Sequence, residues 1–203
     1  VVSGARRHVD AVLQELSRRA LTDPLTGLHN RRSFLDRVDG EIARSRRRGT
    51  DTALLLGDLD HFKQVNDTYG HAEGDGVLER VGAILREEIR DSDTVFRVGG
   101  EEFAILLPDT DGSGAHAVAE HLRLAMFQRA GGRCTATMSF GVAVAVRGDD
   151  GRTLYIRADA ALYTAKASGR NRVALAPSPV AGEPPLGQPG NILPGPTRVP
   201  VAL

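Results

Sequence analysis

The stretch FRVGGEEFAILLP, Phe96–Pro108, sets two apolar, strand-like runs on either side of Gly99-Gly100 and follows the glycines at once with Glu101 and Glu102. A hairpin needs only the glycines. Two adjacent carboxylates at its tip repel each other, so the tip carries a demand beyond turning the chain. The runs themselves read as two strands meeting at that turn.

Upstream of the hairpin, TALLLGDLD (Thr52–Asp60) reads as a buried strand that ends in acid. It is followed by GDGVLERVGAILREEI, with Val77, Val81, Leu85 and Ile89 at helical spacing. Earlier still, LTDPLTGLHNRRSF breaks at Asp23-Pro24, turns at Gly27 and offers Asn30 as the N-cap of a helix running to about Arg48. Downstream lie an Ala- and Leu-rich helix from about Gly114 to Arg129, a strand in CTATMSFGVAVAV, a helix in DAALYTAKASG and a short last strand in RVALA. The order strand-helix-strand-strand-helix-strand is the split βαβ pattern of a ferredoxin-like sheet, so the expected class is α/β (α+β), a mixed sheet flanked by helices.

The two ends read differently. Residues 1–20 place Val9, Leu13, Leu16 and Ala20 at steps of four and three, an amphipathic helix expected to act as a connector that leaves the domain. Residues 177–203 hold eight of the ten prolines and four glycines without apolar periodicity, and are expected to form a disordered Pro/Gly-rich tail.

Composition narrows the function. The chain has 203 residues, 41% of them hydrophobic, enough for one core. Lys+Arg and Asp+Glu are equal at 26 each, so no global field draws it to nucleic acid or to a membrane surface. Cys134 is the only cysteine, which excludes an intrachain disulfide and fits a reducing compartment. No apolar run approaches the roughly 20 residues that span a bilayer. Because the chain starts at Val1, we read it as a cytoplasmic piece of a longer protein, which leaves room for a membrane-anchored parent. It also holds 24 arginines against two lysines, Lys63 and Lys166, so those two lysines ask for a reason.

Asp58 and Asp60 stand two residues apart and so share a strand face. If the hairpin tip pairs beside that strand end, Asp58, Glu101 and Glu102 converge. Acids at strand ends are commonly solvated surface, yet three bracketing apolar strands call for a cation between them. Oxygen donors without Cys or His point to Mg²⁺, with Mn²⁺ as a substitute.

Four motifs then carry a resemblance: GGEEF (Gly99–Phe103), DLDHFKQVND (Asp58–Asp67), LTDPLTGLHNRR (Leu21–Arg32) and YTAKASGRN (Tyr163–Asn171). In this order they resemble the GGDEF family, the diguanylate cyclases, over about residues 21–176, with GGEEF as a variant of the name-giving motif. The resemblance implies a fold like the palm of polymerases and nucleotide cyclase catalytic cores. It implies condensation of two GTP to cyclic di-GMP with release of two pyrophosphates. Carried over by position, Asp58, the Leu59 carbonyl and Glu101 are the implied Mg²⁺ ligands, and Glu101 or Glu102 the proton acceptor. Asn66 and Asp75 are the implied guanine readers, with His71 and Phe62 beside them. Lys63, Lys166 and Arg170 match phosphate positions, and Gly99 and Gly100 let backbone approach the phosphates.

Arg90 and Asp93, in RDSD, match the RxxD spacing of the family's product-inhibition site for cyclic di-GMP, although capping at a helix end would use the same residues. Where the family often has a second arginine, this chain has His121. Asp23 matches the signature at the domain entrance. The two-fold symmetry of the product implies a homodimer, and the N-terminal connector implies an upstream sensory domain. The alternative is a catalytically silent module that senses GTP or cyclic di-GMP. Such degenerate members lose an acid of the hairpin tip, the metal Asp or the guanine pair, all of which this chain keeps.

Overall fold

The computed structural model describes residues 21–130 and 136–177. The expected connector helix lies outside the described residues, as do Cys134 and the expected tail from residue 178 onward.

Among the described residues the chain forms a six-stranded sheet and five helices. The order is β1 (His29–Asn30), α1 (Arg31–Arg48), β2 (Thr52–Leu59), α2 (Phe62–Tyr69), α3 (His71–Glu87), β3 (Thr94–Arg97), β4 (Glu102–Pro108), α4 (Gly112–Arg129), β5 (Met138–Val144), α5 (Gly151–Ala167) and β6 (Val173–Leu175). The sheet order is β1-β3-β4-β2-β5-β6. Its central four strands are all antiparallel, and parallel β1 and β6 close the edges. Four strands ordered β3-β4-β2-β5, with a helical segment after β2 and another after β4, are the ferredoxin-like arrangement that the sequence pattern predicts.

Alternation along the central strands divides the core in two. Ala53, Leu55, Phe103, Ile105, Leu107, Phe140 and Val142 pack under α3 and α4 with Val77, Val81, Leu85, Leu122 and Met126. Leu54, Leu56, Phe96, Ala104, Leu106 and Ala143 pack under α1 and α5 with Phe34, Val38, Ile42 and Leu154. Phe34 meets Phe96 edge-on at 5.4 Å between ring centroids, a favoured aromatic geometry. By the same alternation Asp58 and Glu102 share the α1/α5 face.

Helix starts follow from local chemistry. Asn30, Asp111 and Asp150 cap α1, α4 and α5, each side chain accepting a backbone N–H three residues on. Two elements are absent from the sequence reading, α2 and β1, and α3 already opens at His71. Helix α2 is hard to see because His61, at its N-cap, sits in the left-handed region (φ 58) and makes no side-chain cap bond. β1 is only two residues long and depends on Phe96 and Arg97, far away in sequence.

Candidate functional site

The site begins with register. β2 pairs with β4 so that Asp58 stands opposite Glu102, and with β5 so that Asp58 also stands opposite Ser139. The Leu59 N–H donates to the Glu101 carbonyl at 3.3 Å, which ties the hairpin tip to the end of β2. The Val98 and Gly99 N–H groups donate to the Glu102 carbonyl at 2.9 and 3.3 Å and close the turn. Asp58, Glu101 and Glu102 therefore gather at one end of the sheet, as the two sequence motifs imply.

The glycines of the turn differ. Neither has a left-handed φ. A Cβ on Gly99 would stand 2.3 Å from the Glu102 Oε2, so Gly99 makes room for that carboxylate. A Cβ on Gly100 would meet nothing within 4 Å, so the fold itself does not require glycine there.

The electrostatics of this edge are costly. Burial, opposed by Lys166 and reinforced by the charge of Asp60, pushes the Asp58 carboxyl above its ordinary range. Burial and the neighbouring Asp58 charge do the same to Glu101 and to Glu102. Lys166 Nζ stands 2.7 Å from Asp58 Oδ1, an ion pair whose angle leaves that buried oxygen without a well-directed hydrogen bond. Arg170, in a left-handed conformation after α5, is near enough to favour the charged form of Asp58.

Asp60 has a different task from Asp58. Its Oδ2 accepts from Thr137 Oγ1 at 2.7 Å and the Asn171 N–H at 3.0 Å, and its Oδ1 from Ser139 Oγ at 2.7 Å. It braces β2, β5 and the segment after α5 against each other. Asp159 on α5 was not singled out from the sequence, yet its charge acts on Glu102, and burial raises its own carboxyl too.

Asn66 on α2 and Asp75 on α3 lie where the two helices meet, with Asn66 half-buried and Asp75 exposed. Lys63 and His71 are exposed nearby in sequence, with no side-chain bond among the described residues. Phe62 packs in the core under α3 and α4, so its side chain is committed to packing.

The Arg90–Asp93 segment is a closed turn. The Asp93 N–H donates to the Arg90 carbonyl at 3.0 Å, and the Asp93 carboxylate accepts from the Arg90 N–H at 3.3 Å and from Ser92 Oγ at 3.1 Å. Arg90 is exposed. A cleft of ≈ 310 Å³, lined by His29, Arg37, Arg86, Asp91 and Asp93 among others, opens beside this turn rather than at the carboxylate edge. His121 pairs with Glu88 at 2.7 Å, and Arg129 pairs with Glu87 and Glu88.

One arginine is shared between the domain entrance and the hairpin tip. Arg97 donates from Nε (3.2 Å) and Nη2 (2.7 Å) to the Gly100 carbonyl, and from Nη1 (3.0 Å) to Asp23 Oδ1. Asp23 Oδ1 also accepts from the Thr26 N–H and Oγ1. Although burial pushes it up, these donors hold the Asp23 carboxyl below its ordinary range.

Residues 20–172 match the family model described as diguanylate cyclase, GGDEF domain. This chain belongs to the GGDEF family. It is 41% identical over 168 residues to the diguanylate cyclase DgcP of Pseudomonas aeruginosa, covering 81% of this chain and 25% of that protein. It is 44% identical over 161 residues to the response regulator PleD of Caulobacter vibrioides, covering 76% of this chain and 36% of that protein. The chain thus spans about a quarter to a third of these relatives. Among solved structures, the coiled coil and GGDEF domain of DgcB from Caulobacter crescentus, in complex with c-di-GMP, superposes with a TM-score of 0.81 at 34% identity, covering 86% of this chain and 95% of that one. The active GGEEF domain of a Vibrio cholerae diguanylate cyclase superposes at 0.69 and 33% identity, covering 75% and 99%. Within the GGDEF family fold, the hairpin that names the family gives this chain's carboxylate edge Glu101 and Glu102, and β2 gives it Asp58.

Proposed function

We propose that this chain is the catalytic part of a diguanylate cyclase. The observation that carries the reading is the seating of Asp58 against Glu102, beside Glu101, with a buried Asp58 oxygen that lacks a well-directed hydrogen bond.

Among the described residues no three His, Cys, Asp or Glu side chains are grouped so that they could hold a metal ion on their own. An open set of carboxylates fits a hard cation that is shared with substrate phosphates and water. Asp58, the Leu59 carbonyl and Glu101 would hold Mg²⁺, with Mn²⁺ as a substitute, and the ion when bound supplies charge neutralisation for phosphoryl transfer. Burial raises all three carboxyls, with the Asp58 charge adding to it at Glu101 and Glu102 and the Asp60 charge at Asp58, and a cation among them relieves that cost.

The reaction condenses two GTP. The 3′-hydroxyl of one bonds to the α-phosphorus of the other, the bond to the bridging oxygen of the departing pyrophosphate breaks, and Glu101 or Glu102 takes the hydroxyl proton. Repeating the step in the reverse sense closes the ring and releases the second pyrophosphate. A carboxylate whose pKa is raised is the better proton acceptor near neutral pH. Lys63, Lys166 and Arg170 serve the triphosphate as compact or forked cations. Gly100, with open space where a side chain would stand, leaves its backbone approachable by phosphate. Asn66 and Asp75 read guanine, since a carboxylate can accept from both N1–H and the exocyclic amine.

Each chain holds one GTP, so two chains face one another across a two-fold axis. Exposed Arg90, beside the cleft at the β1–β3 edge, is the leading contact of a feedback site for cyclic di-GMP, because the Asp93 carboxylate is already engaged in its own turn. Residues 21–176 make up the catalytic domain, residues 1–20 connect it to an upstream sensory domain, and 177–203 form a tail. The test is to incubate the purified protein with GTP and Mg²⁺ and separate the nucleotides. A cyclic di-GMP peak supports the cyclase. No product, even with dimerisation forced by a fused zipper, favours a silent nucleotide-sensing module.

A further inference from the structure

Gly74 occupies the fourth position of α3, where glycine is among the poorest helix formers and alanine the best. Its φ lies outside the left-handed region, so backbone conformation does not call for glycine. The demand is one of space. A Cβ at this position would stand 2.0 Å from Asn66 Oδ1, 3.1 Å from Asn66 Cγ and 3.3 Å from Phe62 Cζ. The Asn66 amide therefore lies directly against the backbone of α3, one residue before Asp75.

Among the described residues no hydrogen bond holds that amide. The Asn66 carbonyl accepts from the Gly70 N–H at 2.9 Å, but the Asn66 side chain makes no hydrogen bond among the described residues. A half-buried amide with a free acceptor and two free donors, kept in place by a missing side chain opposite, is held ready for an external partner.

We propose that Gly74 is a specificity-determining position, the one that lets Asn66 lie close enough to Asp75 for both to meet a single guanine edge. This rests on the reading of Asn66 and Asp75 as the guanine pair. Gly74 touches no substrate itself and acts by placing Asn66.

The experiment compares Gly74→Ala, Asn66→Ala and the double variant. The readout is calorimetric affinity for the α,β-methylene analogues of GTP and of inosine triphosphate, which lacks the exocyclic amine, in Mg²⁺. The added methyl meets the end of a short side chain rather than backbone, so Gly74→Ala is expected to unfold cooperatively like the parent. It should weaken the guanosine analogue by about tenfold, the scale of one lost hydrogen bond, and narrow the preference over inosine. Asn66→Ala should lose about the same, and the double variant no more than Asn66→Ala alone. Parental affinity in Gly74→Ala, or losses that add in the double variant, overturns the proposal. If Gly74→Ala fails to fold, the double variant must recover folding, because it removes the clash; if it does not, the proposal falls. Unchanged affinity in Asn66→Ala overturns the guanine-pair reading itself, whereas a loss there with none in Gly74→Ala leaves that reading standing and removes only Gly74.

Discussion

Asp58 concentrates the electrostatic cost of this molecule, since it is buried, faces Glu102 across the ladder and answers to one ammonium at 2.7 Å. Removing the neighbouring Glu101 carboxylate should therefore cost chemistry and spare the fold. Glu101→Ala is expected to lower cyclic di-GMP formation by at least about 100-fold, the scale of one lost transition-state contact, while thermal unfolding stays near the parent. Parental turnover in this variant would remove the metal assignment. Asp58, Glu101 and Glu102 were legible in the sequence because a strand ending in acid and a short hairpin bring them to one end of the sheet. The separate duties of Asp58 and Asp60 were not. They share a face and a residue type, and what distinguishes them lies 77 to 111 residues away in Thr137, Ser139 and Asn171. Lys166 was legible as a cation worth keeping, but its pairing with Asp58 depends on how α5 packs across the sheet.

At the scale of elements, α5 is pressed against β5 at Gly141, where a Cβ would stand 2.1 Å from the Ala158 carbonyl oxygen and 2.2 Å from the Leu162 nitrogen. Those atoms are backbone and cannot turn aside. Gly141→Ala is expected to lose about 1–3 kcal/mol in urea unfolding, as overpacking does, with an unchanged m-value. Because α5 carries Lys166, the same variant should also lose turnover. The start of α5 sets a pH test. Hydrogen bonds from Thr153 hold the Asp150 carboxyl below its ordinary 3.8. A lowered pKa stabilises the fold above the unfolded value and is lost as pH falls through the folded value. Asp150→Ala should thus cost about 1 kcal/mol at pH 7 and progressively less below pH 3.8, read by denaturant titration at each pH. The cap of α1 and the strands' apolar runs were readable locally. α2 was not, since its N-cap His61 offers no capping bond and its eight residues are too few for a clear period.

For the whole molecule, the proposed two-fold encounter would make activity depend on more than one chain. Specific activity is expected to rise with protein concentration and then level off, and a rate per chain that is flat across dilution would argue against two facing subunits. The tether from Asp23 through Arg97 to Gly100 is a second property that no single motif displays, because its members lie 74 and three residues apart. Arg97→Ala should reduce turnover about 10-fold to 100-fold by loosening the hairpin tip, measured against an unchanged rate for a distant surface variant such as Arg44→Ala. Arg97→Lys should not restore it, since one ammonium cannot fork to both partners. Asp23, Arg97 and Gly100 all lie within a single folding unit, so a graft of that unit behind another N-terminal segment brings its tether along. Building chimeras of this domain then reduces to choosing where the join falls ahead of residue 21, with the carboxylate edge left untouched.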